Sequence, residues 1–333
     1  MSEQSSANQG QSVVTKILDF DLQRKHKLVE IYDDILQLAD ELQREKSIIQ
    51  ELTTQFGNFR SEIPNSKEIL LEEECPIIIA GETSAGKSGF INLLIGSDIF
   101  PVSALACTST IIKLHNSTKR EIRVTDDKGK EKVIEFGPDN ESSSIQKEVR
   151  KYVTIKGEFL NCKCVDMYFP VPMLKGNTVI VDTPGIGTTA NPELNARLFE
   201  FLPRAVAFIY IIDSSRAGGL ENDRLLAIFE ELRSWRQRGK LIEFDASRTI
   251  FVCNKWDAVE EEEDEVLNYI TETLREHWPN FHEKQLFKLS VKEEKKLAKQ
   301  EKSSENYRKL LSGIKKMVPS SLEAKVVMNA RYL

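Results

Sequence analysis

The stretch that decides the fold is CPIIIAGETSAGKS, residues 75–88. Its first six residues carry an apolar, isoleucine-rich run without polar alternation, which predicts a strand buried on both faces. GETSAGKS then fits G-x-x-x-x-G-K-S at Gly81, Gly86, Lys87 and Ser88, with the apolar helix face Phe90, Ile91, Leu94 and Ile95 behind it. A strand that feeds a glycine-rich turn and a helix start gathers bare backbone N–H groups and the positive helix end at one point. That point suits a chain of phosphates. Gly81, Glu82, Thr83, Ser84, Ala85, Gly86, Lys87, Ser88 and Gly89 are therefore the candidate phosphate-binding residues. Lys87 reaches the β and γ phosphates, and the Ser88 hydroxyl takes one position on Mg²⁺.

Outward from this motif the pattern repeats. TVIVD (178–182), AVAFIYIID (205–213), TIFVCN (249–254) and LFKLSV (286–291) read as further central strands, with helices near 87–95, 193–201, 221–237, 262–277 and 305–317. Strand and helix in alternation predict an α/β fold, a P-loop domain over residues 75–318 built on an enlarged, mainly parallel sheet. Between Thr110 and Val171 the character changes to half-buried alternation in REIRVT, a turn at Asp127–Gly129, KVIEF, a helix around Ile145–Val153, and VDMYFPV. These elements are expected on the edge of the sheet.

Two further motifs follow in order. VIVDTPGIG places Asp182 at a strand end, where it can hold the Mg²⁺ hydration shell while the Gly185 amide faces the γ-phosphate. FVCNKWD supplies Asn254, Lys255 and Asp257 as N-K-x-D, a pattern whose carboxylate accepts two N–H bonds from the guanine edge. Adenine presents a different set of donors and acceptors, so Asp257 is the argument for GTP. Ser290, in KLSVK, is a candidate fifth contact to the base.

GETSAGKS, the threonines of CTST (107–110), DTPGIG and NKWD, in that order, resemble the nucleotide-binding motifs of the dynamin superfamily of large GTPases. The resemblance covers about residues 70–318, and SAGKS followed by GFINLLIG is its most specific part. It implies GTP hydrolysis with Mg²⁺, stimulated when two GTPase domains pair as a homodimer. It further implies that Thr108, with Thr110 the alternative, holds Mg²⁺ and orients the attacking water. Ile186 stands where small GTPases have glutamine, so water positioning passes to P-loop residues, Ser84 among them, and to a monovalent cation. Thr83 occupies the place of the glutamine of prototypical dynamins. The loop SSRAGG (Ser214–Gly219) either reaches across such a dimer or is a plain connection. Peripheral membrane association is implied by the resemblance alone.

The flanks are helical in expectation. After a polar, disordered stretch over 1–11, residues 12–56 read as one long helix whose seam runs through Leu28, Ile31, Ile35, Leu38, Leu42, Ile49, Leu52 and Phe56, broken only at Glu45. Docking in cis and a dimeric coiled coil both satisfy that seam. Residues 57–74 read as a linker, and residues 319–333 as the start of a C-terminal helix.

Composition bounds the rest. The charge is 46 − 52 = −6, without the basic excess that sequence-independent nucleic-acid binding uses. The longest apolar run, Ala205–Ile212, is eight residues, well short of the roughly 18 of a membrane span. No signal-peptide pattern opens the chain, and five cysteines read as reduced thiols, so a cytoplasmic protein is expected. Cys162 and Cys164 read as two thiols rather than a metal site. The runs Lys292–Lys302 and Lys315–Lys316 read as solvated helix faces, and Glu260–Glu265 as a solvated acidic cap. Beside the GTPase reading stand two others, a nucleotide-switched interaction module with little turnover and an ATPase resembling the EHD branch.

Overall fold

The computed structural model describes residues 26–27, 29–42, 45–56, 58–60, 63–64, 67, 74–82, 84–102, 110–153, 162–171, 174, 178–183, 205, 207–215, 246, 249–259, 261–278 and 280–316. The chain divides into two compact units, one holding residues 1–73, 238–241 and 323–333, the other residues 74–237 and 242–322. The helices expected at 193–201 and 221–237, the segment 12–25 and the C-terminal helix after Pro319 lie outside the described residues.

The larger unit is an α/β domain around a nine-stranded sheet. Its strands are β1 (Cys75–Gly81), β2 (Ile111–Asn116), β3 (Glu121–Asp126), β4 (Glu131–Glu135), β5 (Cys162–Phe169), β6 (Thr178–Asp182), β7 (Ala207–Asp213), β8 (Thr249–Asn254) and β9 (Leu286–Lys288), in the order β4-β3-β5-β2-β6-β1-β7-β8-β9. β1 lies parallel to β6 and β7, and the parallel run continues through β8 to β9. Successive residues of the central strands feed opposite faces. Ile77 and Ile79 join Ile209, Ile211 and Phe90 in one core, while Ile78 and Ala80 join Phe208, Tyr210 and Trp278 in the other. Both faces are therefore filled, which is why these strands carry apolar runs without alternation.

β2 attaches the added edge. It runs antiparallel to β6 and parallel to β5, and β5 pairs antiparallel with β3. The helix Ser142–Val153 covers this part through Ile145, Val149, Tyr152 and Val153. Two expectations change here. IIKLHN is a strand that the sequence pattern did not single out, and LFKLSV is a strand for three residues only, half-buried at the sheet edge rather than central. The remainder of LFKLSV turns into the helix Val291–Ala298, because the Ser290 hydroxyl caps it by accepting the Glu293 N–H at 3.1 Å.

In the smaller unit the expected single helix is two. Residues 29–41 are helical and a second helix spans Lys46–Phe56. Between them the Glu45 N–H donates to the Leu42 carbonyl at 2.9 Å, and the Glu45 carbonyl accepts from Ile48 and Ile49. The buried face is also rotated from the expected seam. Tyr32 and Ala39 are 0% and 3% exposed, whereas Leu38 is 56% exposed. Tyr32 packs with Val29, Ile35 and Leu36 against Phe59 and Ile63, residues of the expected linker that instead lie in helical turns. Arg60 closes that contact by donating to Asp40 and to the Ala39 carbonyl, each at 2.7 Å.

Candidate functional site

The turn after β1 is shaped by what surrounds it. Gly81 has φ 148°, and a Cβ there would lie 2.3 Å from the Ile211 carbonyl oxygen of β7. Gly86, with φ 98°, caps the helix Lys87–Ile95 and would place a Cβ 2.4 Å from the Asn254 amide nitrogen. Only glycine fits either position. Ser84 adopts φ 67°, and Ala85 is fully buried. The buried Lys87 folds its ammonium back over the turn, donating to the Gly81 and Glu82 carbonyls at 3.0 and 2.8 Å. Gly89, one turn into the helix, faces the Val291 methyl.

Beside this turn stands Asp182, the last residue of β6, with no exposed surface. The Ser88 hydroxyl donates to its Oδ2 at 3.3 Å, while its buried Oδ1 has no hydrogen-bond partner. Burial pushes the carboxyl up to about 6, against the opposing pull of the Lys87 charge and the Ser88 hydroxyl. A desolvated carboxylate with one bare oxygen, next to a serine hydroxyl, fits a divalent cation with oxygen ligands. Thr183 fixes the chain that follows by donating its N–H and hydroxyl to the Ile79 carbonyl at 3.2 and 3.0 Å. Thr83, Thr108 and Gly185 lie outside the described residues. Thr110, the alternative to Thr108, is buried, and its hydroxyl lies 3.4 and 3.3 Å from the Tyr152 and Cys162 carbonyls. That hydroxyl is committed to holding the edge of the sheet.

Asn254, at the end of β8, joins the two halves of the site. Its amide donates to the Ala85 carbonyl at 2.8 Å, and its carbonyl accepts the Val291 N–H at 3.1 Å. Lys255 turns the chain with φ 62° and ψ 34°, and Asp257 follows on a short 3₁₀ turn, Trp256–Ala258. Asp257 Oδ1 accepts the Ser290 hydroxyl at 2.7 Å, and Oδ2 lies 3.3 Å from the Lys292 ammonium. Burial raises the Asp257 carboxyl, but the Ser290 and Lys292 contacts outweigh it and hold the group below the ordinary carboxylate value. The carboxylate expected to read the base is thus kept ionised.

Four engaged residues escaped the sequence reading. Asp213, at the end of β7, pairs with the Lys255 ammonium at 2.6 Å. Lys292 belongs to a run expected to be solvated and its side chain is 73% exposed, but its ammonium also lies 3.3 Å from Asp257. In the same run Glu294 is 2% exposed and accepts the Ser304 N–H. Glu263 of the acidic run is likewise engaged, accepting the Trp256 indole N–H at 3.0 Å and pairing with Lys288. The available signals were positional, a charged residue closing an apolar strand and a lysine two residues after Ser290. Cys162 and Cys164 are not disulfide-bonded, and among the described residues no group of three or more His, Cys, Asp and Glu side chains is set for a metal ion. No described helix is long and apolar enough to cross a membrane.

Residues 77–256 match the family model for the Dynamin family. The chain is 26% identical over 289 residues to Dynamin-like protein 2 of Campylobacter jejuni, covering 85% of this chain and 42% of that one. It is 25% identical over 250 residues to an uncharacterized protein encoded in the xynA 3′ region of Caldicellulosiruptor, covering 70% and 56%. It thus spans about half the length of these curated relatives. Among solved structures, an oligomerised bacterial dynamin pair, described as providing a mechanism for long-range sensing and tethering of membranes, superposes with a TM-score of 0.53 at 20% identity over 89% of this chain and 46% of that one. That likeness is one of fold. With more than half of its residues inside the family match, the chain belongs to the dynamin family, a family of GTP hydrolases.

Proposed function

We propose that this chain binds GTP with Mg²⁺ and hydrolyses it to GDP and phosphate, faster when two GTPase domains pair. The observation that carries the proposal is the double hydrogen bond of Asn254. It ties the turn at 81–88 to the segment holding Asp257 and Ser290, so a phosphate-binding turn and a guanine-reading carboxylate share one end of the sheet. In this reading the amides of Gly81–Gly89 and the Lys87 ammonium bind the phosphates, and Asp257 accepts the two guanine N–H groups. Ser88, Asp182 and Thr108 would hold the Mg²⁺, which when bound supplies positive charge against that developing on the phosphate oxygens. Thr108 also orients the attacking water, the Gly185 amide faces the γ-phosphate, and Ser84 with a monovalent cation stands in for the absent glutamine.

Pairing and peripheral membrane association come from the oligomerised bacterial dynamin pair and are proposed here by that analogy. Turnover measured across protein concentration tests pairing, since specific activity rises with concentration if assembly stimulates hydrolysis and stays flat if it does not. Base reading is tested by calorimetry with GTP and ATP on the unaltered chain and on Asp257→Asn. The substitution replaces one acceptor oxygen by a donor, and preference for GTP is expected to fall by about thirtyfold, on the order of 2 kcal/mol. Undiminished preference places base reading elsewhere.

A further inference from the structure

β7 is apolar from Ala207 to Ile212 and ends in a charge. The Asp213 side chain has no solvent exposure and stands in register beside Asn254 of β8. Taking a carboxylate out of water costs several kcal/mol unless its acceptor positions are filled. Here they are filled from two sides. Oδ1 accepts the Ser215 backbone N–H at 3.1 Å and its hydroxyl at 2.6 Å, and Oδ2 takes the Lys255 ammonium at 2.6 Å. An asparagine would serve Ser215 equally well at a lower desolvation cost. Among the described residues, Lys255 is the partner that requires the negative charge.

Lys255 is also the residue on which the following turn depends. Its left-handed backbone, φ 62° and ψ 34°, is a conformation that costs a residue with a Cβ about 1–2 kcal/mol. Its carbonyl accepts the Ala258 N–H at 3.0 Å and so closes the 3₁₀ turn that carries Asp257. The Trp256 N–H is bound to the Leu289 carbonyl at 3.1 Å, which fixes the turn from the other side. Between these two restraints the direction of Asp257 follows from the backbone angles of Lys255. Anchoring the lysine side chain to a wholly buried carboxylate stabilises those angles.

We infer that Asp213 is a positioning residue for guanine nucleotide binding, acting through Lys255 to hold the Asn254–Asp257 turn in the conformation that offers Asp257 to the base. The inference rests on the proposed reading of the site as a GTP site. It also predicts where the effect falls. Base contacts are made alike by GTP and GDP, so losing the anchor weakens ground-state binding of both and leaves the chemical step nearly untouched.

The test uses the full chain with Mg²⁺, measuring GDP affinity by calorimetry and GTP turnover at steady state. Asp213→Asn keeps the shape and the Ser215 contacts and removes the charge. GDP affinity is expected to fall about tenfold and KM for GTP to rise by the same factor, with kcat changed by less than about twofold. Lys255→Met, at a side chain 38% exposed and so tolerant of substitution, is expected to show the same loss. The double variant is expected to lose no more than either single one, since both remove one interaction. Asp213→Asn binding GDP within about twofold of the unaltered chain overturns the inference, as does a double variant whose loss is the product of the two single losses. Should Asp213→Asn fail to fold, Lys255→Met decides alone, and unchanged GDP affinity there overturns the inference. An unaltered chain that binds no GDP overturns the GTP reading itself, a result distinct from either.

Discussion

Two parts of one sheet use their polar residues in opposite ways. In β1, β6, β7 and β8 every residue is buried, and the polar side chains that bear on the site, Asp182, Asp213 and Asn254, stand at the carboxyl ends. In β2, β3 and β5 polar and apolar residues alternate. Ile112, Leu114, Val124, Val165 and Met167 enter the core, while Lys113, His115, Arg123, Asp166 and Tyr168 form a half-buried polar face whose members bind each other. His115 meets Asp166 at 2.9 Å and stacks on Tyr168 at 4.5 Å, Arg123 lies 4.7 Å from the same ring, and Lys113 pairs with Glu74 at 2.9 Å. The two arrangements decide where chemistry can be placed. A strand covered on both faces carries its charged and amide groups at its ends, and parallel strands bring those ends together. An alternating strand satisfies its polar groups sideways, and they become structure.

If that division holds, the largest loss follows from the carboxyl ends. Lys87→Ala removes the one ammonium that the turn folds over itself, and with it the charge-assisted bonds to the phosphates. Affinity for GTP is expected to fall about a thousandfold, roughly 4 kcal/mol, as read by calorimetry on a variant whose thermal unfolding is otherwise intact. A loss below about tenfold would place the phosphates elsewhere.

Asp182 shows what a polar group at a buried strand end costs. Its folded-state value near 6 exceeds the ordinary 3.8, so the folded protein holds this proton more tightly than the unfolded chain does. Stability associated with the group is therefore full below pH 3.8 and is lost as the pH rises through about 6. At neutral pH the penalty is about 3 kcal/mol, from 1.36 kcal/mol for each unit of the shift. Asp182→Asn is expected to stabilise the nucleotide-free chain by that order at pH 7 and by much less at pH 4, while weakening the binding of GTP with Mg²⁺. Urea unfolding of both proteins at the two pH values checks the sign, and a variant less stable than the parent at pH 7 contradicts it.

How much of this could be read in advance depended on the range of the interaction. The central strands were readable because burial on both faces writes an unbroken apolar run, and the phosphate and base motifs because their chemistry fixes residue types at short spacing. β9 was misplaced because an apolar hexamer looks the same at an edge as in the centre, and LFKLSV is cut short by the cap at Ser290. β2 escaped because IIKLHN owes its place to β5 and β6, far along the chain. Asp213 escaped for the same reason, since its partner Lys255 arrives only when β7 and β8 align. Glu294 was hidden in a charged run, where pattern cannot separate the residue that faces Ser304 from those that face water, and the contact of the exposed Lys292 with Asp257 was hidden in the same run. In the smaller unit, the break at Glu45 was visible as a fault in the seam, but the rotation of the buried face onto Tyr32 and Ala39 depends on Phe59 and Ile63.

His115 looks like a functional group, since a carboxylate on one side, a second at 3.9 Å on the other and a stacked tyrosine resemble a catalytic setting. Its place in the sheet argues otherwise. β2 runs antiparallel to β6, with Ile112 opposite Asp182 and His115 opposite Val179, so His115 lies three residues along the strand, away from the carboxyl end that carries the site. Its hydrogen bond to Asp166 and its contact with Tyr168 are lateral, holding β2 to β5. His115→Gln keeps a polar side chain of similar reach and gives up the ring stacking, so the expected loss is about 1 kcal/mol in unfolding free energy. Nucleotide affinity and turnover should stay within about twofold of the parent, a difference below 0.5 kcal/mol. Turnover that collapses in a variant of normal stability would show that the polar face of β2 and β5 takes part in the chemistry, and the separation between strand ends and strand faces would fail for this sheet.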